Sequence, residues 1–330
     1  MTRALTPEAV AERRTRRTAV AVTAVGLLVV AVAALISWSW RGDLPERVAT
    51  HWNVNGTPDS FASFPAALAL TTGLGVAMVA GFGALTAFLG QSALNRRVSA
   101  GATVWAGLFV AVLQLGTFAV QRGLTDARDA GSVDVVIVGA LVGALIPAVL
   151  VALLVPGDPP QPAAVPVADD APRVPLGTAE RASWIGRVDG GPGIGIGVGV
   201  TVLLVVLAVL GGMWVMLVVP ALLAALMAAM LSFVVRVDAD GLTVRSALGW
   251  PRTRVPVDEV LRADVAPVNP LRQFGGWGWR VGRGGRVGIV LRKGEGLLVE
   301  RTGGRSIVVT VDDAATAAAL LNTLADRNRG

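Results

Sequence analysis

The feature that most constrains this chain is Gly193–Val235, 43 consecutive residues without a charge. A helix on a soluble domain needs a polar face, and a strand with one wet side needs alternating polar positions. This run has neither. About 20 apolar residues cover the hydrocarbon core of a bilayer. The run is therefore too long for one crossing and suits two, Ile194–Leu210 and Met213–Val235, with Gly211-Gly212 as the turn. A single crossing with a re-entrant partner is the alternative. Four further runs have the same character: Ala19–Trp40, Pro65–Gly90, Ala102–Val120 and Val135–Pro156. The expected fold is a polytopic α-helical membrane protein with six predicted spans. Of 330 residues, 53% are hydrophobic and 16% charged, against about 25% charged in a soluble domain. A purely soluble enzyme is excluded.

Orientation follows from the arginines beside each run. A basic tail, residues 1–18, carries Arg3, Arg13, Arg14, Arg16 and Arg17, and Arg96-Arg97 lie between the second and third runs. The two charged loops on the other side hold two arginines and three acids each: Arg41 and Arg47, then Arg122 and Arg128. Both termini are expected in the cytoplasm, in a multi-pass plasma (inner) membrane protein. The first run is longer than a signal-peptide core and ends in Trp38 and Trp40, which fits an uncleaved anchor. The net charge of +6 then reflects topology, and no nucleic-acid partner is expected. No run contains an ionisable residue, which argues against a proton-coupled transporter or ion pump. Gln114 reads as an interhelical hydrogen-bonding residue, and Gly139/Gly143 and Gly195/Gly199 as sites of close helix contact. The glycines from Gly193 to Gly199 do not match a nucleotide-binding loop, and no strand is expected ahead of them.

The loop at residues 41–64 is the densest polar segment between the spans. It holds the one histidine of the chain, His51, beside Trp52 and Asn53, and the turn pairs Asn55-Gly56 and Pro58-Asp59. With no cysteine and a single histidine, no catalytic residues, cofactor-binding residues or metal ligands are assigned. The bland reading is a folded loop in which His51 and Asn53 satisfy backbone groups and Trp52 rests at the interface. The functional reading is a recognition surface in which His51 also reports external pH.

The ordered set Leu44, Pro45, His51, Trp52, Asn53, Gly56, Pro58 and Asp59 resembles the signature of the bacterial membrane family called domain of unknown function 1648. That motif also occurs in proteins similar to the immunity protein against sporulation-delaying toxin. Thr57 stands where an acid is frequent in the family, and Ser60 where glycine is frequent. The resemblance covers roughly residues 25–75. It implies a placement between the first two spans and a role in sensing or resisting an extracellular agent, with an extracellular peptide or envelope protein as partner.

Residues 157–192 read as a cytoplasmic linker. Its Pro/Ala/Val-rich part is expected to be flexible, and Thr178–Arg187 to form a short amphipathic helix along the membrane. After the two-span hairpin at 193–235 the pattern changes to period two. Asp240-Gly241 between alternating runs is a hairpin signal. Further strands are expected at Arg252–Val255, Val260–Val265, Gly278–Val281, Val287–Leu291, Gly296–Glu300 and Ser306–Val311, then a helix over Asp312–Asp326. The turns fall at Gly284-Gly285, Lys293-Gly294 and Gly303-Gly304. Residues 236–330 thus suggest a small cytoplasmic β-barrel or sandwich, with the barrel preferred, capped by one helix. With Gly249-Trp250-Pro251 and Gly275–Arg280, this layout resembles bacterial pleckstrin-homology-like domains. Arg272, Arg280, Arg283, Arg286 and Arg292 gather around the Gly-Trp segment. They are candidates for contact with lipids of the inner leaflet, or simply a solvated basic face. Asp258, Glu259 and Asp264 are acids without an accompanying nucleophile.

Four functions fit. The first is a non-enzymatic sensor, regulatory or immunity-like membrane protein with a cytoplasmic scaffold domain. The second is a transporter or channel for a neutral or lipid-like solute. The third is a membrane enzyme using Asp43, Glu46, Asp59 and His51, and the fourth is an accessory part of an envelope complex.

Overall fold

The computed structural model describes residues 7–90, 92–177, 180–282 and 286–329. The chain divides into two compact units. One contains Ala9–Asp158 and Leu204–Pro220, the other Pro159–Leu203 and Ala221 onward.

Among the described residues five helices are long and apolar enough to cross a membrane. They are α1 (Pro7–Ser39), α2 (Phe64–Leu89), α3 (Ala93–Ala119), the pair α4 (Asp134–Gly143) and α5 (Leu145–Leu154) taken together, and α6 (Gly191–Leu210). The break between α4 and α5 lies three residues before Pro147, whose ring opposes the carbonyl of residue 143. The expected sixth span, Met213–Val235, is not one long helix. Its first turn is a 3-10 helix at Trp214–Leu217, α7 (Val218–Met230) follows, and Ser232 already begins a strand. Strand pairing takes the last residues that apolarity alone had assigned to a span.

In the first unit, buried polar side chains tie the helices. The Gln114 amide donates to Ser37 Oγ at 3.2 Å and accepts from the hydroxyls of Thr71 and Thr72 at 3.0 and 3.2 Å. Arg96, expected in a loop, is fully buried near the start of α3. It donates to the carbonyls of Gly90 and Pro156 and to the Asp158 carboxylate, all at 2.9–3.0 Å. Close helix approach occurs at Gly107, where an added Cβ would sit 3.0 Å from the backbone of Gly26. At Gly139, Gly143, Gly195 and Gly199 an added Cβ would meet nothing within 4 Å. Those glycines, expected at close helix contacts, do not make them.

In the second unit, residues 159–177 of the expected linker are not a flexible tether. Val167 and Ala171 are buried in its core, and Asp170 pairs with Arg262. Part of the stretch expected as a surface helix is strand β3 (Trp184–Asp189), while Thr178 and Ala179 lie outside the described residues. After α7 come β4 (Ser232–Asp238), β5 (Gly241–Ser246) and β6 (Arg252–Pro256), hydrogen-bonded antiparallel in the order β3-β4-β5-β6. The Asp240-Gly241 turn has Gly241 at φ +110°, as its hairpin demands. The remaining strands are β7 (Val260–Val268), β8 (Gly278–Val281), β9 (Val287–Val290), β10 (Gly294–Arg301) and β11 (Arg305–Thr310). They form a second sheet in the order β7-β10-β11-β9-β8, with β9 and β11 parallel.

The two sheets do not close into the expected barrel. A closed ladder would need pairing between the sheets, and the chain instead leaves β6 through a 3-10 turn at Val257–Glu259. They share one core with the terminal helix α9 (Ala314–Arg329), to which Phe233, Leu242, Ile289, Leu297 and Leu321 contribute. Buried Asn322 completes the contact. It bonds both backbone groups of Ala263 at 2.8 Å and the carbonyl of Pro172 at 2.9 Å.

Candidate functional site: the β1–β2 hairpin

The segment between α1 and α2 folds as an antiparallel hairpin, β1 (Arg47–Trp52) and β2 (Pro58–Ser63). Asn53 makes the turn. Its side-chain oxygen accepts the backbone N–H of Asn55 and of Thr57, at 2.9 and 3.1 Å. Gly56 follows at φ +72°, in the left-handed region that favours glycine. A Cβ there would lie 2.9 Å from Ser132, so the turn packs against the segment ahead of α4. The Trp52 indole N–H donates to the Gly131 carbonyl at 3.1 Å on the same segment. Pro45 and Pro58 are buried, and Leu44 packs with Val48, Phe64, Ala67 and Phe118. Six of the eight motif residues therefore build and seat the hairpin.

His51 and Asp59 are the other two. The ladder is irregular between Ala49 and Trp52, and His51 Nδ1 lies 2.6 Å from Asp59 Oδ1 across it. Their side chains are 67% and 41% exposed. A histidine–carboxylate pair facing water offers a hydrogen-bonding edge, with no nucleophile attached. Among the described residues no three His, Cys, Asp or Glu side chains come together as metal ligands would.

Sequence reasoning missed the residues that hold the hairpin from the far side. Gln121, fully buried just after α3, accepts the N–H of Ala49 at 2.6 Å and donates to its carbonyl at 3.1 Å. Arg122 pairs with Asp43 at 2.8 Å and lies over the Trp40 ring at 4.8 Å. Arg128 lies over Phe61 at 5.4 Å. The backbone N–H of Arg128 bonds the Asp126 carboxyl and holds it below the usual carboxylate range. No sequence signal marks Gln121, since a glutamine at a span end reads as ordinary polarity.

The other expected residues fall in the second unit. Arg272, Arg280 and Arg286 are exposed, Arg292 pairs with Asp312, and Arg283 lies outside the described residues, as does the Gly284-Gly285 turn. Arg280 Nε donates to the Trp277 carbonyl at 2.8 Å. Trp279 packs on the core near Phe233, and Trp277 lies beside Gly193 at the start of α6. Glu259 is buried against Arg305 and Arg301, and Asp264 is bonded by Arg262. Both acids serve the fold.

Residues 27–75 match the family model described as domain of unknown function (DUF1648). The match covers the end of α1, the whole hairpin and the first part of α2. Neither a curated protein nor a solved structure matches the chain.

Proposed function

We propose that this is a non-enzymatic membrane protein in which the β1–β2 hairpin recognises an agent outside the cell, and the two-sheet unit serves as a cytoplasmic scaffold. The agent would be an extracellular peptide or an envelope protein, in a sensing, regulatory or immunity-like role. The observation that carries this reading is the division of labour in the motif. Six residues are spent on turn and packing, and what they hold out to solvent is the His51–Asp59 pair. The test is growth of cells carrying His51→Ala or Asp59→Ala under a panel of membrane-active agents. The expected result is altered resistance at unchanged protein abundance; unchanged resistance in both variants contradicts the reading.

The same proposal includes six crossings. β3 precedes α6 and β4 follows α7, yet the two strands pair from Trp184↔Val237 to Asp189↔Ser232. If α6 crosses, residues 211–231 must return the chain to the side it left. At 1.5 Å per residue, Trp214–Met230 spans about 26 Å, close to the roughly 30 Å of a hydrocarbon core. With the basic tail and the Arg96 segment on the inner side, both termini lie in the cytoplasm of a plasma-membrane protein.

One observation favours a second reading, transport of a lipid-like solute. An apolar cavity of about 300 Å³ lies between α6 and α7, lined by Ile194, Val198, Thr201, Met227 and Leu231 among others. Flux of a short-chain lipid analogue through reconstituted vesicles would support it, and its absence would remove it.

A further inference from the structure

The geometry points to a second membrane contact, in which the edge of the four-stranded sheet nearest α6 and α7 docks on an anionic bilayer surface through Arg187, Arg245 and Arg252, with Leu248 and Trp250 inserted beside them. Chain connectivity sets the edge. Asp189 ends β3 two residues before α6 begins, and Ser232 begins β4 two residues after α7 ends. The β5–β6 turn lies at that same edge, because the Ala247 N–H donates to the Ser232 carbonyl at 2.9 Å. Whatever side of a membrane the sheet occupies, this edge is the part of it tied to the ends of the apolar helices.

Two observations say what covers it. The turn exposes Leu248 at 63% and Trp250 at 51%, two large apolar side chains close together at the edge tied to the apolar helices. Trp at the boundary between hydrocarbon and water is a common anchor. Immediately behind the turn, the pairing register places Arg187, Val234, Arg245 and Arg252 in one row across four strands. Direct partners in an antiparallel sheet share a face, and this is the outer one, since Phe233, Val235 and Val244 of the other face are buried. Arg245 and Arg252 are opposite one another, an arrangement that like charges disfavour.

Among the described residues, none of the three row arginines pairs with an acid. Further from the edge Arg236 pairs with Asp238 and Arg254 with Asp240. The one carboxylate nearer the edge, Asp189, accepts from Ser232 Oγ at 2.6 Å. The balance of the two rows nearest the helices is therefore positive. Anionic headgroups would neutralise it where the apolar side chains enter the bilayer.

The absence of native cysteine makes the test direct. The full chain carrying Leu248→Cys, labelled with an environment-sensitive fluorophore, is reconstituted in nanodiscs that contain spin-labelled lipid quenchers. The expected result is strong quenching in discs enriched in phosphatidylglycerol and weak quenching in phosphatidylcholine. Arg245→Gln and Arg252→Gln should each lower the docked fraction roughly fivefold. A label at Ala239→Cys, in the β4–β5 turn at the other end of the sheet, should stay unquenched throughout. Equal quenching of the Leu248 label in both lipids, or none in either, overturns the proposal without reliance on any arginine variant.

Discussion

Two side-chain amides do the same work in the two units. Gln121 bonds both backbone groups of Ala49, and Asn322 bonds both backbone groups of Ala263. Each behaves like one residue of a missing neighbouring strand. A buried donor or acceptor left unpaired costs about 1–3 kcal/mol. Gln121→Ala should therefore lower the stability of the detergent-solubilised chain by about 2–3 kcal/mol in chemical unfolding. His51→Ala and Asp59→Ala should each change it by no more than about 1 kcal/mol, because an exposed polar pair contributes little. Comparable losses at all three positions would mean that His51 and Asp59 hold the fold and are not presented for recognition. The motif was legible as an ordered set of residues, but its builders and its presented pair were not, because that distinction depends on burial. Gln121 was illegible for the same reason.

A pH effect belongs to this scale as well. The hydrogen bond from Arg262 holds the Asp170 carboxyl below its ordinary range. Its folded pKa is lower than its unfolded one, so the pair stabilises the fold above the ordinary carboxylate value. That contribution is lost as the pH falls through the folded value. The stability difference between the wild-type chain and Asp170→Asn should thus be present at neutral pH and shrink in strong acid. A difference that persists unchanged there would contradict the assignment.

At the scale of elements, the β4–β5 hairpin and strands β6–β11 were readable, since alternation and glycine turns are local signals. Strand β3 was not. It lies in a Pro- and Gly-rich stretch, and its pairing with β4 reaches across the whole α6–α7 segment. The two sheets were also read as one barrel, because local alternation says nothing about whether ladders close. The β1–β2 hairpin was read as a folded loop, and its turn supplies an element-scale prediction. Gly56 and Gly123 both have positive φ, +72° and +76°, but only Gly56 would bring a Cβ against Ser132. Alanine at Gly123 should cost about 1–2 kcal/mol from backbone strain alone. Alanine at Gly56 should cost more, and should raise hydrogen exchange across residues 127–132. Equal effects at the two glycines would mean that the hairpin does not rest on that segment.

At the scale of the whole molecule, the long uncharged runs announced membrane helices, and five of the described helices have the length and apolarity to span. The sixth crossing is part of the proposed function, and it rests on the pairing of β3 with β4, which hydropathy does not contain. The proposed function puts the β1–β2 hairpin and the α6–α7 turn outside and both sheets inside. Single cysteines at Val54, Leu210 and Ala239, in a chain with no native cysteine, test all three together by labelling with a membrane-impermeant maleimide. The account predicts that Val54→Cys and Leu210→Cys label in intact cells, and that Ala239→Cys labels only after permeabilisation. Labelling of Ala239→Cys in intact cells, or protection of Leu210→Cys or Val54→Cys alongside it, would contradict the account.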